Sequence, residues 1–98
     1  QRILIIMILE VVSPEATLFS GEVNSVAFPG ANGAFQVLDN HAPIVSILNP
    51  GTVKIGGKIS LSEETAHHFK QQGEETFLEL PNGGTVEMQQ NKIVLLAD

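Results

Sequence analysis

PGANGAFQVLDNHAPIVSILNPGTVKI, residues 29–55, is a stretch in which short apolar runs are interrupted at close intervals by Gly, Pro, Asn and Asp. Asp39 and Asn40 can bond their own backbone, and the Asn-Pro-Gly group at 49–51 combines the fixed φ of proline with a permissive glycine. Both are turn signals. The stretch therefore predicts three short strands, at 34–38, 44–48 and 52–55.

The rest of the chain continues this pattern of short strands and turns. Gly21 lies inside a strand-like segment, where it indicates a bulge or a close approach of the backbone. Turns recurring every 8 to 12 residues or so are typical of an antiparallel sandwich or barrel, so we predict an all-β domain. The first strand is expected to end near Val12. Further strands are expected at 18–21, 23–28, 58–61, 77–80, 85–89 and 92–96.

Alternation of apolar and polar residues predicts which side chains form the core. Successive side chains of a strand point to opposite faces, so one face of each strand is apolar. The predicted core residues are Phe35, Val37, Val53, Ile55, Val86, Met88, Ile93 and Leu95.

Residues 62–72, SEETAHHFKQQ, are the exception to the strand pattern. Ser62 could cap a helix of two to three turns that ends before Gly73. A long polar loop between two strands is the competing interpretation, because so short a helix is marginal by itself. In either case Phe69 is the main apolar side chain, so we expect the segment to be peripheral to the core.

Composition limits the domain organisation and the partners. The chain has 98 residues, of which 43% are hydrophobic, which suits a single domain over residues 1–98. The net charge of −6, with five Lys and Arg, disfavours nucleic acid and anionic membrane surfaces as partners. The absence of Cys excludes disulfides, thiolate metal sites and thiol nucleophiles.

The N-terminal apolar run, Ile3–Leu9, is too short to cross a bilayer, which takes about 20 residues. It has no cleavage pattern typical of a signal peptide, and it is rich in β-branched residues, so it predicts a buried strand. Residues 1–6 are either an expression tag, a misplaced start or an extension of the first strand.

Three groups of residues were considered as sites. His67 and His68 follow an acidic pair at 63–64, but on a helix they form two pairs on different faces, whereas tight metal sites usually need three or four ligands. Residues 30–33, GANG, resemble a phosphate loop but precede a strand, not a helix. His41 lacks a nucleophile pattern and is expected to bond local backbone or contact a partner. We therefore predict no catalytic, metal or cofactor site.

Five motifs in order carry a resemblance to a known family: FSGEV at 19–23, PGANGAFQVL, NHAPIVSIL, PGTVKI and VLLAD at 94–98. Together they are similar to the epsilon subunit of bacterial F-type ATP synthase, over residues 7–55 and, more loosely, 77–98. Residues 60–75 depart from the family, which usually has a shorter hairpin there.

The resemblance implies a fold, a function and a set of contact residues. It implies a β-sandwich of two antiparallel sheets in a non-catalytic subunit of the central stalk, or rotor, which binds the gamma subunit and the c-ring and couples proton flow to ATP synthesis. It also implies a peripheral location on the cytoplasmic face of the bacterial inner membrane. The loop and turn implied to face these partners comprise Ala31, Asn32, Gly33, Ala34, Asn40, His41, Ala42 and Pro43.

The sequence leaves three points open: the C-terminal extent of the protein, the charge of the first loop and an alternative function. The family's C-terminal helical hairpin, with its inhibitory contacts and ATP-binding motif, does not follow Asp98, so the chain corresponds to the N-terminal sandwich of a naturally short or a trimmed member. Many relatives carry an acidic residue in the first loop, where this chain has Asn32 and Ala34. The alternative function is that of a free-standing β-sandwich that binds a small ligand in a cleft of aromatic and polar groups.

Overall fold

The computed structural model describes residues 6–39 and 41–98, which form a β-sandwich of two five-stranded sheets. Sheet 1 has the strand order β2-β1-β10-β9-β5, and sheet 2 has the order β4-β3-β6-β8-β7. The strands are β1 Met7–Val12, β2 Thr17–Val23, β3 Ser25–Phe28, β4 Phe35–Leu38, β5 Ile44–Leu48, β6 Gly51–Gly56, β7 Phe69–Gln72, β8 Glu75–Leu80, β9 Gly84–Gln89 and β10 Lys92–Ala97. The all-β prediction is confirmed.

The strand pairs are antiparallel, with the exception of β1 and β10, which pair in parallel in sheet 1. These are the first and last strands of the described chain. A parallel pair needs a long connection, and here nearly the whole domain forms that connection. The sheets are thus predominantly antiparallel, as predicted, and the single parallel pair joins the two ends of the described chain.

The core lies between the two sheets and is built from the inward side chains of each strand. Of the eight predicted core residues, seven are at most 1% exposed, as the alternation requires. Phe35 is only partly buried because β4 is an edge strand, although its ring packs on that of Phe28 with centroids 5.5 Å apart. Gly21 pairs regularly with Leu9, and the ring of Phe19 covers it, which is the close approach predicted there.

The predicted strand at 58–61 does not form. The neighbours of β6 in sheet 2 are β3 and β8, so this segment has no strand edge to extend. Ile59 and Leu61 nevertheless pack against the core. The alternation thus identified the inward side chains but not the absence of a hydrogen-bonded partner.

Of the two alternatives left open for residues 62–72, a helix of two to three turns and a polar loop, the helix does not form. The segment contains a single 3-10 turn, Ala66–His68, with no buried residue, followed by strand β7. A helix here would have almost no apolar face to bury, whereas the edge of β8 offers backbone partners over four residues. The peripheral placement is confirmed, since β7 is an edge strand on which only Phe69 is partly buried.

Candidate partner-binding surface

The outer surface of β5 is the most exposed apolar surface in the described residues. Ile44, Ser46 and Leu48 face inward, opposite the inward residues of β9. Val45 and Ile47 face outward and are 78% and 68% exposed. Large aliphatic side chains on a strand gain nothing from such exposure, so this surface is a candidate for contact with another protein.

The apolar surface continues across sheet 1. Ile47 lies opposite Thr85 of β9, and Thr85 lies opposite Leu96 of β10, which is 47% exposed. In the next row, Val45 is followed by Glu87 and then by Val94. We call this surface the outer face of sheet 1; its apolar members are Ile8, Val12, Val45, Ile47, Val94 and Leu96.

The predicted contact loop, residues 31–34, lies beside the C-terminal end of β5. The backbone N–H of Ala31 donates to the carbonyl of Ile47 at 2.8 Å, and Gly30 forms a bridge with Leu48. Ala31 and Asn32 border a hollow of about 430 Å³ together with Val45, Ser46 and Ile47. The backbone of β5 therefore positions this exposed loop.

Residues 30–33 form a tight turn, as expected from the strand that follows them. The N–H of Gly33 donates to the carbonyl of Gly30 at 3.0 Å, and Gly33 has a φ of 124°, which a side-chain-bearing residue rarely adopts. The resemblance of this segment to a phosphate loop ends at the glycine pattern.

The predicted contact turn lies at the other end of β5. His41, Ala42 and Pro43 are exposed, and Asn40, the fourth predicted contact residue, lies outside the described residues. The Nδ1 atom of His41 is 2.7 Å from the carbonyl oxygen of Ala42 and donates to it in the corresponding tautomer. This local backbone bond is the role expected of His41 if it acts only within the turn.

The two predicted segments border opposite ends of β5. Strand β4 separates residues 31–34 from the turn in the chain. The turn precedes Ile44 and the loop adjoins Leu48, and the four residue steps of β5 between these two ends span about 13 Å. Their contact roles stay predictions. What the structure adds is the apolar strand between them.

The sequence reasoning missed the outer residues of β5, although a signal was present. The run IVSIL at 44–48 has no charged residue and only Ser46 as a polar one, so it lacks the alternation seen in β9. A strand that is apolar on both faces is typical of burial on both faces. On this edge strand, the described residues leave the second face uncovered.

The residues considered as a metal site do not converge on a third ligand. The rings of His67 and His68 lie against each other with centroids 4.1 Å apart. Within the described ranges, 6–39 and 41–98, no group of three or more His, Cys, Asp or Glu side chains is arranged to hold a metal ion.

Among the described residues, no helix is long and apolar enough to cross a membrane.

The family comparison covers nearly the whole chain. The model of the family described as "ATP synthase, Delta/Epsilon chain, beta-sandwich domain" matches residues 6–98. The match includes β5, both predicted contact segments and residues 60–75, which were expected to depart from the family.

Curated relatives share moderate sequence identity. The ATP synthase epsilon chain of Chlorobaculum tepidum is 41% identical over 90 residues, which cover 92% of this chain and 86% of the relative. The epsilon chain of Chlorobium limicola is 36% identical over the same shares. That of Desulforamulus reducens is also 36% identical, but the match spans only 57% of its length.

Solved structures with the same fold come from mitochondrial complexes. A chain in the Euglena gracilis mitochondrial ATP synthase (OSCP/F1/c-ring) superposes with a TM-score of 0.72 at 16% identity, covering 99% of this chain and 53% of that one. A chain in the Tetrahymena thermophila ATP synthase central stalk and c-ring gives a TM-score of 0.66 at 13% identity, covering 92% and 61%. At these identities the likeness concerns the fold alone.

Proposed function

This chain belongs to the ATP synthase delta/epsilon family, whose members are non-catalytic subunits of that complex. We propose that it acts in the central stalk of a bacterial F-type enzyme. In this role it binds the gamma subunit and the c-ring and helps to couple proton flow to ATP synthesis. Its place is then at the cytoplasmic face of the inner membrane, held there by the complex.

The observation that supports this proposal most directly is the exposure of Val45 and Ile47 on the outward surface of β5. A strand with aliphatic side chains in water is stabilised when a second protein covers it, at roughly 25 cal/mol per Å² of apolar area. We assign the outer face of sheet 1 to contact with the gamma subunit, since a rotor subunit must be held firmly to the shaft.

We assign the loop at 31–34 to contact with the c-ring. Its residues are exposed and uncharged, and its backbone is hydrogen-bonded to β5. A loop held by the strand that docks on the gamma subunit would keep a constant position relative to the shaft. Because Asn32 and Ala34 carry no charge, contact there would rest on shape and hydrogen bonds, not on ion pairs.

The alternative, a small-ligand module, needs a cleft in which aromatic and polar groups converge. The hollows on the outer face of sheet 1 have no aromatic ring in their lining. A hollow of about 210 Å³ beside β2 includes Phe19 and several Ser side chains, but Phe19 is only 8% exposed. The broad, shallow outer face of sheet 1 favours a protein partner over a small ligand.

The test is binding to the cognate F1 complex from which this subunit has been removed. Ile47→Ser should weaken binding at least about tenfold, because it removes a large apolar contact from the interface. Lys54→Ser, on the outer surface of sheet 2, is the control and should bind as the native chain does. In reconstituted vesicles, the native chain should restore ATP-driven proton pumping and Ile47→Ser should restore less of it. Native affinity of Ile47→Ser would contradict the assignment of this face.

A further inference from the structure

Glu87 is a carboxylate in the middle of the apolar outer face of sheet 1. It lies on β9, directly opposite Val45 of β5 on one side and Val94 of β10 on the other. Like Val45, it is exposed. The strand register therefore surrounds this charge with aliphatic side chains on both neighbouring strands.

Three hollows on this face share Glu87 in their lining. One of about 270 Å³ extends over Val45, Val94 and Leu96, and another of about 290 Å³ extends toward Pro43. The third, of about 410 Å³, extends toward Lys92. A partner side chain that enters any of these hollows comes close to the carboxylate.

The outer face of sheet 1 carries more negative than positive charge around Glu87. The register places Lys92 diagonal to both Glu87 and Glu10, and its Nζ atom is 3.9 Å from the Oε1 atom of Glu10. In the part of the chain that the structure describes, Glu87 forms no ion pair. The amine of Lys92 lies diagonal to both carboxylates but pairs with Glu10, so it leaves Glu87 without an ion pair among the described residues.

Docking of another protein on this face would remove water from Glu87. An unpaired carboxylate is very costly to bury, whereas a carboxylate that meets a cation at the interface becomes a source of specificity. Tight docking therefore requires the partner to supply hydrogen-bond donors to Glu87, and charged donors make the strongest such bonds.

We propose that Glu87 is the specificity-determining residue of the docking face, and that the gamma subunit places a Lys or Arg side chain against it within an apolar surface. This inference rests on the proposed function. Arg suits the site better than Lys, because its planar guanidinium can bond both carboxylate oxygens and is less strongly hydrated.

The test uses three variants bound to the F1 complex that lacks this subunit. Glu87→Gln removes the charge and keeps the shape, and it should weaken binding at least about tenfold. Glu87→Leu should weaken binding at least as much, although it enlarges the apolar face. Glu79→Gln, on the outer surface of β8, is the matched control and should keep native affinity. The dependence of affinity on salt should also be weaker for Glu87→Gln than for the native chain.

Native or tighter binding by Glu87→Leu would overturn the inference, because the carboxylate would then be only tolerated at the interface. Equal loss of affinity in Glu79→Gln would also overturn it, since the effect would then reflect net charge alone. Either result together with weakened binding of Ile47→Ser would leave the proposed function intact. Native affinity of Ile47→Ser would instead contradict the docking face itself. Since Glu87 is exposed, both Glu87 variants should keep the melting temperature of the native chain. If Glu87→Leu does not fold, the affinity of Glu87→Gln alone decides the test.

Discussion

The outer surfaces of the two sheets differ, although their inner surfaces follow the same rule. In sheet 2, Thr52 donates a hydrogen bond to Glu79 at 2.5 Å, and Lys54 forms an ion pair with Glu75 at 3.1 Å. These outward side chains have partners within the chain and are also exposed to water. The corresponding positions of β5 in sheet 1 carry aliphatic side chains with no such partners.

This difference shows that alternation determines the inner face of a strand and leaves its outer face to function. The outer surface of sheet 2 is polar around β6 and β8, although Leu38 of its edge strand β4 is 53% exposed. Covering the outer face of sheet 1 by another protein would remove its apolar side chains from water, and Glu87 would limit which proteins can bind there.

The largest expected effect concerns the inner surface that the two sheets share. Val86→Asp places a carboxylate at a position that is 1% exposed, and it should lower the free energy of unfolding by more than about 4 kcal/mol, enough to unfold the domain. Thr85→Asp, one residue earlier and facing outward, should cost about 1 kcal/mol. Urea denaturation measures both. A native melting temperature for Val86→Asp would mean that β9 is shifted by one residue from the register described here.

An intermediate effect is expected on the outer surfaces themselves. Val45→Ser combined with Ile47→Ser should reduce the binding of a hydrophobic fluorescent dye by the free chain, because it removes the most exposed large apolar side chains. Thr52→Ser on sheet 2 should leave dye binding unchanged. Each should keep the free energy of unfolding within about 1 kcal/mol of the native value. Equal dye binding by the two variants would remove the distinction between the outer surfaces.

The smallest effect is expected for the ion pair on sheet 2. Lys54→Ala should lower the free energy of unfolding by at most about 1 kcal/mol, since both side chains of the Lys54–Glu75 pair are nearly half exposed and screened by water. High salt should remove most of the difference between the variant and the native chain. A loss that is larger than this and independent of salt would show that Lys54 has a packing role in sheet 2.

The candidate site was predictable only in part. The turn residues placed the loop at 31–34 and the turn before Pro43 correctly between strands, because Gly, Asn and Pro act on backbone dihedrals locally. Their position at opposite ends of β5 was not predictable, because it depends on which sheet each strand joins. Val45 and Ile47 were assigned only to a strand and to no contact surface, since an apolar run does not reveal whether its strand is central or at an edge.

The segment at 58–72 shows the same limit. Its residues predicted a strand at 58–61 and a helix or loop at 62–72. In the structure β8, not 58–61, pairs with β6, and Phe69–Gln72 pairs with the other side of β8 as a strand. Backbone hydrogen bonds in a sheet join residues far apart in the chain. Local preference therefore cannot decide which segment obtains them.

The sequence by itself determined the all-β class, most strand positions and the inward side chains, because dihedral preferences and the two-residue period of a strand are local properties. Tertiary structure alone decided the parallel pairing of β1 with β10, the edge positions of β5 and β7, and the surrounding of Glu87 by Val45 and Val94. Each of these depends on the order of strands in a sheet, and that order is set by the burial of apolar side chains across the whole domain.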